Sequence, residues 1–127
     1  KNPFLNDRAW FYPYPVDLDV LNNAAALLMT YEDFTSFSKR NTQTKTMICR
    51  LSESRWEQTA EGYRYTVKGN RFLRGMVRGL VGTMLQAGRG KISLAEFEAI
   101  IQAKDCTKAD FTTPAHGLFL VEVGLTV

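Results

Sequence analysis

The residues best suited to chemistry in this chain of 127 residues are its arginines. Arg71, Arg74 and Arg78 recur at spacings of three and four, which on one continuous helix would place them within about 60° of each other. Gly75, Gly79 and Gly82 fall beside them on the same wheel. An interior glycine costs a helix about 0.8–1 kcal/mol relative to alanine, so three of them point to a face that must stay free of bulk. Such a face suits close approach by another domain or by phosphates, because guanidinium groups pair with carboxylate and phosphate in a two-pronged geometry. The alternative is an ordinary solvated basic face. From Arg64 to Lys91 the chain carries seven basic residues and no acidic one. That pattern fits a surface that meets nucleic acid or an acidic partner protein.

The remaining reactive side chains are scattered. Asp33, Asp105 and Asp110 fall in loops, where a carboxylate can act as nucleophile or base, but where turns and caps are its commoner use. His116 is the chain's one histidine, and between Pro114 and Gly117 it reads as a turn residue. That count leaves no His-rich metal centre. Cys49 and Cys106 form no Cys-x-x-Cys pair; Cys49 sits in a strand pattern and reads as a small core residue. Neither a Ser/His/Asp set nor a glycine-rich phosphate loop is present. The overall charge of +3, from 16 Lys plus Arg against 13 Asp plus Glu, is too mild to demand nucleic acid by itself.

Positioning these groups requires a small set of elements. A proline- and aromatic-rich lead-in over residues 1–16 reads as a linker or a lone strand. Asp17 can cap a helix to about Thr30, with Leu18, Leu21, Ala25 and Leu28 at helical spacing. Two strand patterns follow, Met47 to Thr59 and Tyr63 to Gly69, and the second alternates Tyr63, Tyr65 and Val67 with Arg64, Thr66 and Lys68. The spacing of Phe72, Leu73, Met76, Val77, Leu80, Val81, Met84 and Leu85 predicts a helix over Asn70 to Gly90. Ser93 and Glu96 form a capping box for another helix ending near Lys104. A loop from Asp105 to Gly117 leads into a closing strand, Leu118 to Val123. If the lead-in supplies an opening strand, the class is α+β: a ferredoxin-like two-layer sandwich, a mainly antiparallel sheet with helices packed on one face. The length fits one domain spanning 1–127. The longest aliphatic run, Ala24 to Met29, is far short of the roughly 20 residues that span a bilayer.

Several motifs in sequence order carry a resemblance. Asn70-Arg71-Phe72-Leu73-Arg74 is followed by Met76-Val77-Arg78, Val81-Gly82-Thr83 and Gly88, Gly90, Lys91. Asn2-Pro3-Phe4 with Arg8-Ala9-Trp10 precedes them, Asp33-Phe34-Thr35-Ser36-Phe37 follows the first helix, and Thr113-Pro114-Ala115-His116-Gly117-Leu118 closes the chain. Together these strongly resemble the carboxy-terminal half of the tRNA pseudouridine synthase A family. The sequence departs from that pattern at Glu32, where histidine is frequent, and at Thr113, where alanine is usual.

The two unpaired cysteines fit a reducing, cytoplasmic compartment, and the resemblance implies a homodimeric enzyme without metal or organic cofactor, isomerising uridine to pseudouridine at positions 38 to 40 of the tRNA anticodon stem-loop. The family mechanism breaks the C1′–N1 bond, turns the uracil and joins C1′ to C5, and the base must first leave its stack. The family's essential aspartate lies in an Arg-Thr-Asp-x-Gly motif of the amino-terminal half, which this sequence does not contain. The chain, which starts at Lys1, therefore reads as an excised domain, inactive alone, whose partners are tRNA, its own amino-terminal domain and a second copy, with no membrane. By resemblance Arg78 matches the arginine that reaches the catalytic aspartate, where it would keep that carboxylate ionised, and Leu118 matches the leucine that packs on the target base. Arg71, Arg74, Lys68 and Arg64 are the candidate RNA contacts, and Phe72, Met76 and Leu80 the candidate core. A non-catalytic RNA-binding module and a dimerisation domain are the alternatives.

Overall fold

In a computed structural model, residues 8–10, 16–38, 46–59, 62–112 and 119–125 are described. The elements run β1 (Arg8–Trp10), α1 (Leu18–Leu28), a 3-10 turn (Thr35–Phe37), β2 (Leu51–Thr59), β3 (Gly62–Gly69), α2 (Met76–Gly88), α3 (Leu94–Ala103) and β4 (Phe119–Leu125). This is the α+β arrangement the sequence predicts, with the opening strand supplied by the lead-in.

The sheet order is β1-β4-β3-β2. β2 pairs with β3 and β1 with β4 in antiparallel fashion, while β3 and β4 run parallel. The sheet is therefore mixed, and β3 and β4 are direct neighbours instead of being split by another strand. The connection explains the direction: two helices between β3 and β4 form a crossover that returns the chain to the starting end, whereas only two residues separate β2 from its antiparallel partner β3.

Period-2 alternation decides which sheet face is covered. Tyr65 and Val67 are buried, and their register partners Trp56 and Ser54 are buried with them. The Trp56 and Tyr65 rings stack with centroids 5.0 Å apart, and the Trp56 indole N–H points at the Met84 sulfur of α2, 3.4 Å away. Leu21, Ala24, Ala25 and Leu28 of α1, Leu80, Met84 and Leu85 of α2, and Phe97 and Ile101 of α3 complete one core. Met76 and Leu80 are fully buried as predicted, and Phe72 packs against the core half-buried.

The predicted caps form. Asp17 Oδ1 accepts from the amides of Asp19 and Val20 at 2.9 and 3.2 Å. Ser93 and Glu96 make the reciprocal capping box. Asn22 of α1 serves the outer edge of the sheet: its Nδ2 donates to the Trp56 carbonyl at 2.9 Å and its Oδ1 accepts the Trp56 amide at 2.8 Å. One side-chain amide thus stands where a further strand would pair, which blunts an otherwise open edge.

Candidate functional site

The helix carrying Arg78 is shorter than its hydrophobic pattern predicts. Gly75 adopts φ 72°, in the left-handed region, and α2 starts at Met76. Arg71 and Arg74 precede the helix, so the three arginines do not form one helical stripe. The apolar spacing continued through the turn because Leu73 is buried too, with its carbonyl accepting the Met76 amide at 3.0 Å.

The five candidate cations separate into three environments. Arg64 and Lys68 lie on the sheet face opposite the helices and meet glutamates of β2. Lys68 Nζ is 3.4 Å from Glu53, Arg64 is 3.9 Å from Glu57, and Arg55 lies between, bonded to both glutamates. The part of the acid-free run that lies on β3 is thus neutralised across the hairpin. Arg71 is a structural tie: its Nη1 donates to the Thr46 and Ile48 carbonyls at 3.0 and 3.2 Å. Beside it, Asn70 brackets Arg50, donating from its amide at 3.0 Å and accepting on Oδ1 at 2.8 Å. Arg74 and Arg78 are exposed, and neither has a hydrogen bond or ion pair among the described residues.

The small-residue face of α2 is filled by the chain itself. A Cβ at Gly79 would stand 2.8 Å from the Phe111 ring, and one at Gly82 only 2.3 Å from the Asp110 carbonyl oxygen. Thr83, buried, accepts the Asp110 amide on its hydroxyl at 3.0 Å, and Gln86 Nε2 donates to Asp110 Oδ2 at 2.7 Å. The expectation that Gly79 and Gly82 keep room for phosphate or another domain is corrected: they make room for residues 110–112. Val81-Gly82-Thr83 is therefore a docking motif, buried by Val81, open at Gly82 and bonded at Thr83.

The loop aspartates share one local form. Asp33, Asp105 and Asp110 each stand two residues before a threonine, and each Oδ1 accepts that threonine's amide, at 3.0, 2.9 and 2.9 Å, together with its hydroxyl. These are the turns that compete with secondary structure wherever Asp can reach the amide two residues on. At Asp33, burial opposes ionisation but is outweighed by the Thr35 bonds and by Lys104, 3.5 Å away, so the carboxyl falls below its ordinary value. At Asp110, burial is likewise outweighed, by Thr112 and Gln86. The Asp-x-Thr spacing was a signal available in the sequence for all three.

The rest of the Asp33 to Phe37 motif is structural as well. Phe34 and Phe37 are buried, and the Ser36 hydroxyl donates to the Ile100 carbonyl at 2.6 Å while accepting the Asp105 amide at 3.0 Å. The unusual Glu32 pairs with Arg50 at 3.3 Å on the surface. Cys49 is buried, which pushes its thiol up despite the nearby Arg71. Leu118, His116 and Thr113 lie outside the described residues. Among the described residues no group of three or more His, Cys, Asp or Glu is placed to hold a metal, and no helix is long and apolar enough to cross a membrane.

Among the described residues Arg78 is thus unpartnered near the start of α2, one position before a glycine covered by Phe111. A family profile described as tRNA pseudouridine synthase matches residues 24–124, and the chain belongs to that family. Among curated relatives, the tRNA pseudouridine synthase A of Parabacteroides distasonis is 42% identical over 123 residues, 97% of this chain and 49% of the relative. Those of Bacteroides fragilis and Bacillus pumilus are 43% and 37% identical, again over 97% of this chain and 49% and 50% of the relative. The chain spans about half the length of the curated relatives it matches.

Proposed function

We propose that this chain is the carboxy-terminal half of a tRNA pseudouridine synthase that isomerises uridine at positions 38 to 40 of the anticodon stem-loop, working with an amino-terminal half and as a homodimer. Arg78 crosses the cleft to hold the nucleophilic aspartate of that other half ionised and oriented. Leu118 supplies an apolar wall for the flipped base. In the overall isomerisation the C1′–N1 bond breaks, C1′–C5 forms, the C5 proton is lost and N1 gains one, so no oxidant or reductant is needed. Arg74 contacts the tRNA backbone, and Arg64 and Lys68 contribute less because each faces a glutamate.

The observation that carries this reading is a contrast of partners. The described loop aspartates are tied into their own turns, leaving none of them poised as a nucleophile, while Arg78 stands exposed with no carboxylate partner among the described residues. A simple basic RNA-binding patch is the weaker alternative, because β2 neutralises part of the run that would form it.

Release of tritium from 5-tritiated uridine in tRNA tests the reading. The isolated chain should release none, and the protein containing both halves should turn over. Turnover by the isolated chain would place the nucleophile within it and overturn the assignment.

A further inference from the structure

We propose that Asp110 and Gln86 are positioning residues for Arg78, acting by clipping residues 110–112 onto α2; the proposal rests on the reading of Arg78 given above. Arg78 immediately precedes Gly79, and Gly82 lies one turn further on, about 40° around the helix from Arg78. Both positions are covered by the same short segment. The Phe111 ring lies where a Cβ at Gly79 would be, and the carbonyls of Asp110 and Thr112 lie 2.3 and 3.1 Å from a Cβ at Gly82.

Two side chains of α2 hold that segment, and its own Asp110–Thr112 turn shapes it. The Asp110 amide donates to Thr83 at 3.0 Å, Gln86 donates to Oδ2 at 2.7 Å, and Oδ1 accepts the Thr112 amide at 2.9 Å. Each carboxylate oxygen thus has a donor, one from the helix and one from the segment's own turn. Gln86 is the link between the two, since it sits one turn beyond Gly82 on the same face.

Helical side chains lean toward the helix amino terminus. A segment fixed over Gly79 and Gly82 occupies the flank of α2 next to Arg78 and the turn after it, so the exposed Arg78 side chain extends from a backbone that the segment braces on that flank. Releasing the clip loosens that backbone and disturbs the position of a charge that must meet its partner in the reaction. Because Asp110 and Gln86 spend their polar groups on each other and on the segment's own turn, the effect is expected on turnover more than on binding.

The test uses the protein containing both halves. Near neutral pH, Gln86→Glu sets one carboxylate against another; kcat should fall by about tenfold or more while KM for tRNA stays within about twofold. Adding Asp110→Asn exchanges the two groups: the amide now donates from position 110 to the carboxylate at position 86, and kcat should return to within about threefold of the parent. The Gln86→Glu single variant should also recover relative to the parent as pH falls, when a proton is shared between the two carboxyls. A wild-type kcat in Gln86→Glu, or an exchange that fails to restore kcat in a protein with a normal melting curve, would overturn the proposal. If Gln86→Glu does not fold, Thr83→Val removes only the acceptor of the Asp110 amide, and the same kcat criterion decides. An inactive parent would instead sink the functional reading, whereas an active parent with normal variants sinks the positioning role alone.

Discussion

Arg64 and Lys68 on β3, and Arg74 and Arg78 around the start of α2, come from one acid-free run of sequence but end in opposite surroundings. On β3, antiparallel pairing sets Glu57 across from Arg64 and Glu53 across from Lys68, and Arg55 completes a chain of alternating charges. Such exposed pairs contribute about 0–1 kcal/mol each, yet they cancel much of the field these cations would project. Around the start of α2, no carboxylate among the described residues pairs with Arg74 or Arg78. The helix's acid-free first turn leaves Arg78 with solvent, or with a carboxylate brought by another part of the protein. Charge read along a chain therefore differs from charge displayed on a surface, and strand register is what separates the two.

The sharpest way to break this contrast is to remove one cation from each region in the protein containing both halves. Arg78→Ala should lower tritium release by about a hundredfold or more, as expected for losing a preorganised charge, with an unchanged melting curve. Arg64→Ala should stay within about twofold, and equal losses would erase the distinction. Next in size, Gly82→Ala forces a methyl group against the Asp110 carbonyl and should destabilise the chain by about 1–3 kcal/mol, read as a lower Tm. An unchanged Tm would mean that the 110–112 segment is not seated on α2.

Salt dependence sharpens the comparison further. Arg74→Ala should reduce the slope of log affinity for tRNA against log salt by about one, while Lys68→Ala should change it little. Gln at both Glu53 and Glu57 should then make Arg64 and Lys68 count, steepening the slope. The smallest effect concerns acid. Asp33 and Asp110 have folded pKa values below their ordinary ones, so between the two values the unfolded state binds more protons and stability rises with pH. Their contribution is present above the unfolded pKa and lost as pH falls through the folded one. Asp33→Asn and Asp110→Asn should each flatten the acid limb of a stability-versus-pH curve, and an acid limb as steep as the parent's would count against the turn bonds.

Local signals in the sequence served well where the interaction itself is local. The Asp17 cap, the Ser93 and Glu96 box, the β2–β3 hairpin and the alternation that buries Tyr65 and Val67 all join residues close in the chain. The start of α2 is not legible in the sequence, because Leu73 and Met76 keep helical spacing across a turn that Gly75 breaks, and apolar spacing alone cannot report a backbone angle. The glycine face is legible in the sequence, but its occupant is not. Glycine shows that something must come close without naming it, and the occupant lay about thirty residues downstream at Phe111.

The sequence by itself determined the class of fold, the order of its elements, the core stripe, the caps and the motifs that assign the family, since each depends on side-chain type and short spacing. Only the tertiary structure decided that β3 and β4 run side by side in parallel, that Glu53 and Glu57 neutralise Lys68 and Arg64, and that Asp110 locks onto Thr83 and Gln86. Those outcomes depend on which distant segments share a register or a helix face. Packing sets that arrangement, and no single stretch of the chain encodes it.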